Sequence, residues 1–291
     1  MMSLIEPVLK DDALVAQMRG TQPGDGLAIW WLGQSGFLVK SRTGCLLFDP
    51  YLSDSLTRKY ADTDKPHVRM TAQAVDPAAL DFVEVITSTH NHTDHLDAAT
   101  LGPLLAANPT GKLVIPEANR AFVADRLGVE VDAPVGVGDG DVVDVAGFQI
   151  EGVPAAHEAL ERDEQGRPRF MGYIVRCGKW CVYHSGDTLL YDGLVERLRE
   201  KRIDVAILPI NGRRPERRVA GNLDGQQAAQ LAHDIGARLV IPCHFEMFTF
   251  NTASPGLFEK SCRKLGQDHR VMRCGELLEL GGEGRSMDDG Q

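Results

Sequence analysis

Four potential metal ligands lie within six residues of each other in the segment 89–97. They are His90, His92, Asp94 and His95. Imidazole and carboxylate groups together favour zinc, manganese or iron, and one carboxylate among histidines leaves coordination positions open for water or a substrate. A polar turn that is rich in histidine by chance is the alternative. It is disfavoured because three of the chain's nine histidines fall in this one segment. The segment therefore predicts a metal centre.

The elements around this segment determine how its side chains can be arranged. Residues 82–86 precede it and are rich in β-branched side chains, which predicts a buried strand. Asp97 is typical of an N-cap, with a helix beginning directly behind it. Side chains two residues apart on extended backbone point the same way, so His90 and His92 can bind one ion. The other two ligands, one turn later, can then face a second ion.

Composition and charge indicate a globular protein. The 291 residues are 43% hydrophobic, which is ample for one large domain or two smaller ones. With 31 basic and 41 acidic residues the formal net charge is -10, which argues against nucleic acid or an anionic membrane as the main partner unless a local basic patch overrides it. The N-terminus lacks the features of a signal peptide, and no apolar run is long enough to span a membrane. We therefore expect a cytoplasmic protein.

The six cysteines are scattered without the spacing of a zinc site or a disulfide framework. Cys177 and Cys181 are separated by only three residues within a predicted hairpin. Cys243 adjoins His244, but neighbouring residues on a strand face opposite ways, so the thiol is left out of the metal site. Buried free thiols are the better interpretation.

The first part of the chain predicts an antiparallel sheet with one buried face. Residues 1–26 form a predicted N-terminal extension, with a short helix followed by a connection rich in glycine and proline. Beyond it, strands are predicted over 29–32, 36–39 and 45–48. Residues 53–77 are polar and aperiodic, and so long a loop in a compact domain is usually functional or mobile. We interpret it as a flap beside the metal site, with His67 as a solvated loop residue.

The rest of the chain alternates strands and helices. The pattern predicts strands or hairpins over 112–115, 142–153, 173–183, 205–210 and 239–241, and helices over 119–127 and 191–200. Asp224 with Gln227 has the pattern of a capping box for a further helix. A last helix is predicted with Ser254 as its N-cap and Pro255 in its first turn. Residues 281–291 are expected to be a disordered tail.

The cluster His90-x-His92-x-Asp94-His95 resembles the signature of the metallo-β-lactamase superfamily of binuclear metal hydrolases. Six segments together are similar to the L-ascorbate-6-phosphate lactonase group: 32–37 (LGQSGF), 49–54 (DPYLSD), 89–95 (THNHTDH), 183–188 (YHSGDT), 208–213 (LPINGR) and 242–245 (PCHF). The resemblance covers roughly residues 27 to 250 and is specific for the subfamily rather than the substrate, because metal motifs outlive changes of substrate. It implies an α/β (α+β) fold, a four-layer αββα sandwich over residues 27–280, with the site along one edge of the two sheets.

The resemblance also implies a full ligand set and the groups that support it. The first metal would be bound by His90, His92 and His157, the second by Asp94, His95 and His244, with Asp187 as the bridge. Asp49 would orient ligands through hydrogen bonds, a plain turn aspartate being the alternative. His184 would support the ligands rather than bind metal. Two divalent ions are expected, manganese or zinc, with iron as an alternative.

Such a centre predicts a hydrolase with Asp94 and Asp187 as its catalytic residues. The ions bring +4 and the two aspartates return -2, so the centre stays cationic and attracts a small anionic substrate. A water between the ions would be acidified to hydroxide and attack a carbonyl or phosphorus centre, with Asp94 orienting it. We expect opening of a lactone or related ester of a small, phosphorylated, sugar-like acid. A phosphodiesterase acting on cyclic or small phosphodiesters and an iron-binding oxygen or redox protein are the alternatives, and assembly into a homo-oligomer stays open.

An arginine-rich segment, 213–218, is the predicted contact for the substrate's anionic group. It holds four arginines in six residues of an acidic chain, with a solvated charge run as the alternative interpretation. By the family pattern, the strand before it ends near the metal site, so Asn211 can help to aim Arg213 inward. A guanidinium there could hold a phosphate or carboxylate with two hydrogen bonds. We expect Asn211 and Arg213 to bind the substrate; failing that, the role passes to Arg69 or Lys59.

Overall fold

Two β-sheets form the centre of the protein, which is described for residues 3–281 by a computed structural model. The strands are β1 (Leu27–Gly33), β2 (Gly36–Ser41), β3 (Gly44–Phe48), β4 (Val85–Thr87), β5 (Lys112–Pro116), β6 (Val135–Val137), β7 (Val142–Val145), β8 (Phe148–Pro154), β9 (Met171–Cys177), β10 (Trp180–His184), β11 (Val205–Pro209), β12 (Leu239–Cys243) and β13 (Leu277–Leu280). The α-helices of this part of the chain are α1 (Asp11–Gly20), α2 (Ser55–Lys59), α3 (Ala98–Ala107), α4 (Arg120–Leu127), α5 (Leu194–Arg199), α6 (Gly225–Asp234) and α7 (Gly256–Leu265).

Helices cover the outer face of each sheet. The first sheet has seven strands in the order β13-β1-β2-β3-β4-β5-β6, and the second has six in the order β12-β11-β10-β9-β8-β7. Buried side chains of α1, α3 and α4 pack on the first sheet, and those of α5, α6 and α7 pack on the second. The predicted αββα arrangement is therefore confirmed.

Strand β1 shows why the sandwich needs sequences that are apolar on both faces. Ile29 and Trp31 belong to the core between the sheets, whereas Ala28 and Trp30 belong to the core beneath the helices. Successive side chains of a strand alternate between faces, so every residue of β1 is buried. The prediction of one buried face was wrong, because helices cover the face that was expected to meet water.

The directions of the strands bring the ends of both sheets to one edge. Strands β3 to β6 are parallel to one another, and so are β10 to β12. Parallel neighbours need crossover connections, here largely helical, and their carboxyl ends therefore lie on the same side. Ligands in open α/β sheets bind beyond such carboxyl ends. This edge is where the candidate site is found.

Both ends of the described chain are attached to the first sheet. Leu14 and Met18 of α1 are fully buried in the core beneath the helices, and β13 pairs with β1 from Leu27 opposite Leu280. The division at residue 26 stays a prediction, although α1 shares the core of the sandwich. The predicted disordered tail lies outside the described residues from position 282 onward.

Element boundaries depart from the predicted ones where local signals are weak. Strand β6 has only three residues and β13 only four, so neither shows a usable alternation, and both were missed. The helix predicted over 191–200 begins only at Leu194, because Gly193 before it has a left-handed backbone. The predicted N-cap Ser254 accepts a hydrogen bond from the Gly256 amide, and the helix is assigned from Gly256, a shift of the size usual at helix ends.

Other predicted features are confirmed. Asp97 accepts a hydrogen bond from the Ala99 amide as the N-cap of α3. All six cysteines are buried and free. Within residues 3–281, no helix has the length and apolar character needed to cross a membrane.

The capping box of α6 supplies a test of the fold that changes none of the predicted ligands. Asp224 Oδ1 accepts from the Gln227 amide at 2.8 Å, and Gln227 Oε1 accepts from the Asp224 amide at 3.0 Å. We expect Asp224→Ala to lower the free energy of unfolding by about 1 kcal/mol, because the Gln227 amide in the first turn loses its partner. Urea unfolding measures this. Asp234→Ala at the other end of α6 is the control and should cost less, since a carboxylate at a helix C-terminus opposes the dipole. Equal losses would contradict the cap.

Candidate metal centre

Four loops at the carboxyl edge of the sheets bring the predicted ligands together. The loop after β4, in the first sheet, carries His90, His92, Asp94 and His95. The loops after β8, β10 and β12, in the second sheet, carry His157, Asp187 and His244. The centre therefore exists only where the two sheets meet.

The ligand atoms fall into three overlapping groups, each with its atoms within 4.8 Å of one another. The groups are His90 with His92 and His157, His90 with His95 and Asp187, and Asp94 with His95 and His244. The first and third match the two sets expected for separate ions. The middle group shares His90 with the first and His95 with the third, and it adds Asp187.

The carboxylate of Asp187 lies between the two sets and is only 3% exposed. Its Oδ1 is 3.4 Å from His95 Nε2, and its Oδ2 is 3.6 Å from His157 Nε2 and 3.5 Å from His244 Nε2. The carboxylate thus lies close to histidines of both expected sets. The bridging role itself stays a prediction.

Several atoms of this cluster fit a bound cation. His90 Nε2, His95 Nε2 and Asp187 Oδ1 are buried and have no hydrogen-bond partner among the described residues. Buried polar groups are rarely left in this state, because each costs the free energy of its lost hydration. Asp94 Oδ2 is 3.4 Å from His244 Nε2 and 3.6 Å from His95 Nε2. Two atoms each about 2.1 Å from one tetrahedral ion are also about 3.4 Å apart. The residues present therefore suit a metal ion.

Charge is distributed unevenly over the cluster when no ion neutralises it. Burial, together with neighbouring histidines, lowers the pKa of His90 well below its usual value. His92 is exposed at the cavity floor, but loss of hydration within the crowded cluster and the nearby His157 lower its pKa to about 4, so both rings are neutral with lone pairs to donate. Burial opposes the charged form of His244 as well, but Asp187 and Asp94 outweigh it and raise its pKa to about 9. In metal-free protein, the proton on His244 thus supplies the positive charge that an ion bound near Asp94 would supply.

Asp49 holds His95 from behind. It is fully buried, and its Oδ2 lies 2.6 Å from His95 Nδ1 while its Oδ1 accepts from the Thr89 amide at 3.0 Å. A histidine whose Nδ1–H is fixed by a carboxylate presents its Nε2 lone pair in one direction. These contacts are those that the expected supporting role requires, and a plain turn aspartate would lack them.

Both ring nitrogens of His184 form hydrogen bonds with the backbone. Its Nε2 lies 2.9 Å from the Ser35 carbonyl oxygen and so must donate, while its Nδ1 accepts from the Gly186 amide at 3.2 Å. The ring also stacks on Phe48, with centroids 4.9 Å apart. Neither nitrogen has a lone pair free for a metal, which agrees with its exclusion from the ligand set.

A cavity of about 490 Å³ opens over the cluster. Its floor includes His92, Asp94, His157, Asp187 and His244. Its walls carry three cationic side chains and an apolar group, namely Lys59, Lys65, Arg126, Leu56, Tyr60, Phe122 and Val219. The loop 53–77, interpreted as a flap, supplies much of this wall.

His67 was wrongly predicted to be a solvated loop residue. Its ring is half-buried, stacks on Tyr60 with centroids 4.5 Å apart, and packs edge-on against Phe248 at 5.2 Å. It also lines the cavity. Long-range aromatic contacts of this kind leave no local signature in a polar, aperiodic segment.

The two predicted substrate residues lie apart from the cavity lining. Asn211 is buried, and its side-chain amide bonds with those of Asn222 and Asn251 at 3.0 Å each. The Arg213 side chain is 58% exposed and pairs with Glu158 at 2.6 Å. Their substrate role stays a prediction, but the structure does not bring either side chain to the metal cluster.

Sequence reasoning missed Gln34, whose buried side chain reaches the cluster from the turn between β1 and β2. Its Nε2 lies 2.9 Å from Asp94 Oδ2. The only available signal was its place in the segment 32–37, which was used for family resemblance and not for chemistry.

Comparison with known proteins places these features in a family. The family described as a beta-lactamase superfamily domain matches residues 45–245. A UPF0173 metal-dependent hydrolase of Methanopyrus kandleri, MK1542, is 30% identical over 84% of this chain and 96% of its own length. A second protein with the UPF0173 name, from Opitutus terrae, is 29% identical over 87% of this chain and all of its own length.

Solved structures share the fold at lower sequence identity. Igni18, a metallo hydrolase from the archaeon Ignicoccus hospitalis, is 22% identical, with a TM-score of 0.64 over 88% of this chain and 98% of that chain. An isothiocyanate hydrolase from Delia radicum gut bacteria is 17% identical, with a TM-score of 0.70 over 88% of this chain and 99% of that chain. At this identity the likeness concerns the fold alone.

Asp187 supplies a first test of the centre. We expect Asp187→Ala to abolish turnover and to lower the metal content, because two cations would face each other without a shared anion. Elemental analysis of protein purified without chelator measures the metal directly. His184→Ala is the comparison and should cost about 10- to 100-fold in affinity or activity, as is usual for groups that support ligands. Full metal occupancy and activity in Asp187→Ala would exclude the bridge, and loss of one whole ion in His184→Ala would make His184 a ligand.

The pKa of His244 supplies a second test. Because it is raised from its usual 6.5 to about 9, the charged ring stabilises metal-free protein below pH 6.5, and this contribution disappears as the pH rises toward 9. Chelator-treated protein should therefore melt at a lower temperature at pH 9 than at pH 6.5. The melting temperature of metal-loaded protein should fall less between these two pH values, because the ion replaces the proton beside Asp187. Thermal unfolding of both forms at the two pH values measures this difference. Equal falls in melting temperature would contradict the raised pKa of His244.

Proposed function

The chain belongs to the metallo-β-lactamase superfamily and, within it, to the UPF0173 metal-dependent hydrolases, and from that premise we propose a hydrolase for a small anionic ester. The specific reaction proposed is the opening of a lactone or related ester in a phosphorylated, sugar-like acid. Two divalent ions, manganese or zinc, would be held by the seven predicted ligands. The observation that carries the proposal is the convergence of those ligands from both sheets beneath a cavity with cationic walls.

The metal ions, when bound, supply a water that is activated near neutral pH and positive charge for the developing oxyanion. Asp94 contributes a carboxylate with a 17% exposed side chain at the cavity floor. Burial opposes its charge, but His95 and His244 hold its pKa well below the usual range. Asp94 therefore stays ionised, and it can accept a hydrogen bond from the attacking water and orient it.

Three cations of the cavity wall support an anionic substrate. Within residues 3–281, Lys59, Lys65 and Arg126 have no carboxylate within 4.0 Å. Arg126 donates to the carbonyls of Asn91 and Leu96, which fixes it beside the ligand loop, the loop after β4 that carries four of the predicted ligands. In a chain of formal charge -10, three cations without acidic partners around one cavity favour a phosphate or carboxylate there.

Of Lys59 and Arg69, the two alternatives to Arg213, Lys59 is better placed to contact an anionic substrate. Its Nζ lies 3.4 Å from Thr93 Oγ1, within the ligand loop itself. Arg69, in contrast, is bonded to Asp54 at 2.8 Å and to the Ser53 carbonyl at 2.9 Å, and its side chain is only 9% exposed. A guanidinium already held on several sides has little capacity left for a substrate. We therefore assign the anion contact to Lys59, with Lys65 and Arg126 around it.

The aromatic side of the cavity supports an organic body of modest size. Tyr60 and Phe122 line the wall, and His67 lies between Tyr60 and Phe248. His67 Nδ1 donates to the Lys65 carbonyl at 2.8 Å, because a carbonyl oxygen can only accept. The neutral ring then offers Nε2 as an acceptor, which suits a hydroxyl-bearing substrate.

A substrate panel with one charge variant tests this function. We expect hydrolysis of an aldonolactone phosphate, and Lys59→Gln should raise its KM roughly tenfold, since one charge-assisted contact at an exposed site is lost. The same lactone without phosphate should be affected little. Steady-state kinetics on both compounds measures the difference.

Adding a cyclic nucleotide and the variant Arg213→Gln to that panel gives two outcomes that would redirect the proposal. Hydrolysis of a cyclic nucleotide but of no lactone would favour a phosphodiesterase, for which the same cations are suited. A larger rise in KM for Arg213→Gln than for Lys59→Gln would return the anion contact to the arginine-rich segment.

A further inference from the structure

Gln34 occupies a backbone position that the fold constrains strongly. It lies in the turn between β1 and β2, where the register shifts between Trp31 and Gly33. Its φ of 50° is in the left-handed region, which is uncommon for a residue of this type. Its carbonyl oxygen accepts from Trp31 Nε1 and from the His244 amide, each at 3.0 Å. The turn is thereby tied directly to the backbone of a predicted ligand.

The side chain of Gln34 is turned into the cluster and is buried with it. The residue is 3% exposed, and its amide group lies 2.9 Å from Asp94 Oδ2 and 3.0 Å from His244 Nε2. Both atoms belong to the group formed by Asp94, His95 and His244. No other neutral amide side chain makes such a contact with this group among residues 3–281.

A metal ion on His244 is incompatible with the amide in this orientation. The amide in this orientation needs a lone pair on His244 Nε2 to donate to, and neither a protonated ring nor a ring bound to a metal leaves that lone pair free. Asp94 Oδ2 has further lone pairs, so the conflict arises at His244. A half-turn of the amide about its last bond exchanges Nε2 and Oε1 at nearly the same positions without any backbone movement. The oxygen then takes the place where the cation attracts it.

We propose that Gln34 Oε1 is an additional, neutral ligand of the ion held by Asp94, His95 and His244. This inference rests on the proposed metal centre and adds one oxygen donor to it. Carbonyl oxygen suits manganese, and zinc also takes oxygen ligands beside imidazole. A neutral donor also keeps the positive charge of the centre, which another carboxylate would reduce. The constrained backbone of Gln34 has a physical reason on this assignment, since strained conformations cluster where a ligand must be held.

Metal binding tests the proposal without any substrate. In Gln34→Asn the amide is kept, and asparagine tolerates a positive φ, but the side chain is one carbon too short to reach the ion. Gln34→Glu keeps the length and an oxygen donor. Competition of Zn²⁺ with a chelator of known affinity should show one of the two ions bound at least tenfold more weakly in Gln34→Asn, in line with the usual cost of a lost group near a metal. Gln34→Glu should bind that ion at least as tightly as the unaltered protein.

The absorption spectrum of bound Co²⁺ is the second readout, because it reports the coordination geometry of the ion. It should change in Gln34→Asn and not in the control Gln73→Asn, whose amide bonds the Val75 carbonyl at 2.9 Å away from the cluster. Unaltered Zn²⁺ affinity and Co²⁺ spectrum in Gln34→Asn would overturn the proposal. Equal weakening in Gln34→Asn and Gln34→Glu would overturn it too, because the glutamate keeps an oxygen donor at this place, and what both variants lack there is the N–H donor. Failure of the unaltered protein to bind any ion would instead refute the metal centre itself.

Discussion

The buried carboxylate of Asp187 is the constraint on which the rest of the site depends. An ionised carboxylate loses much of its hydration when it is only 3% exposed, so it must be surrounded by cationic or hydrogen-bonding partners. The side chains that face it are His95 from the first sheet and His157 and His244 from the second, all within 3.6 Å, and a cation held among them would complete the compensation. The edges of the two sheets, whose facing side chains form an apolar core, therefore meet around one charge.

Glycine permits this approach. Gly186 precedes Asp187 with a φ of 60°, and a Cβ there would lie 2.7 Å from both the Met171 carbonyl oxygen and Thr89 Cβ. Gly172, on β9, is similarly crowded by the carbonyl of Ser185, 2.8 Å from its hypothetical Cβ. Any side chain at these positions would push the loop after β10 away from the ligand loop. The lack of a side chain at both positions thus allows the predicted ligands to come together.

Charge is organised at two scales. The chain as a whole is acidic, while the cavity over the cluster is bordered by lysine and arginine side chains without nearby carboxylates among the described residues. The cluster itself combines neutral histidines on one side with carboxylates on the other. Two divalent cations would more than neutralise the carboxylates of this cluster. The floor of the cavity would then be positive as well as its walls, which accounts for the proposed preference for an anion.

The sequence alone determined what depends on local order: the spacing of His90, His92, Asp94 and His95, the caps at Asp97 and Asp224, and, through family resemblance, the αββα sandwich. Tertiary structure decided what depends on distant residues meeting. It placed Arg213 against Glu158 and Lys59 beside Thr93, buried His67 among aromatic rings, and brought Gln34 to Asp94 across 60 positions of sequence. Spacing along one strand or turn fixes the direction of a ligand, but no local pattern records which charged or amide group from another loop will reach it.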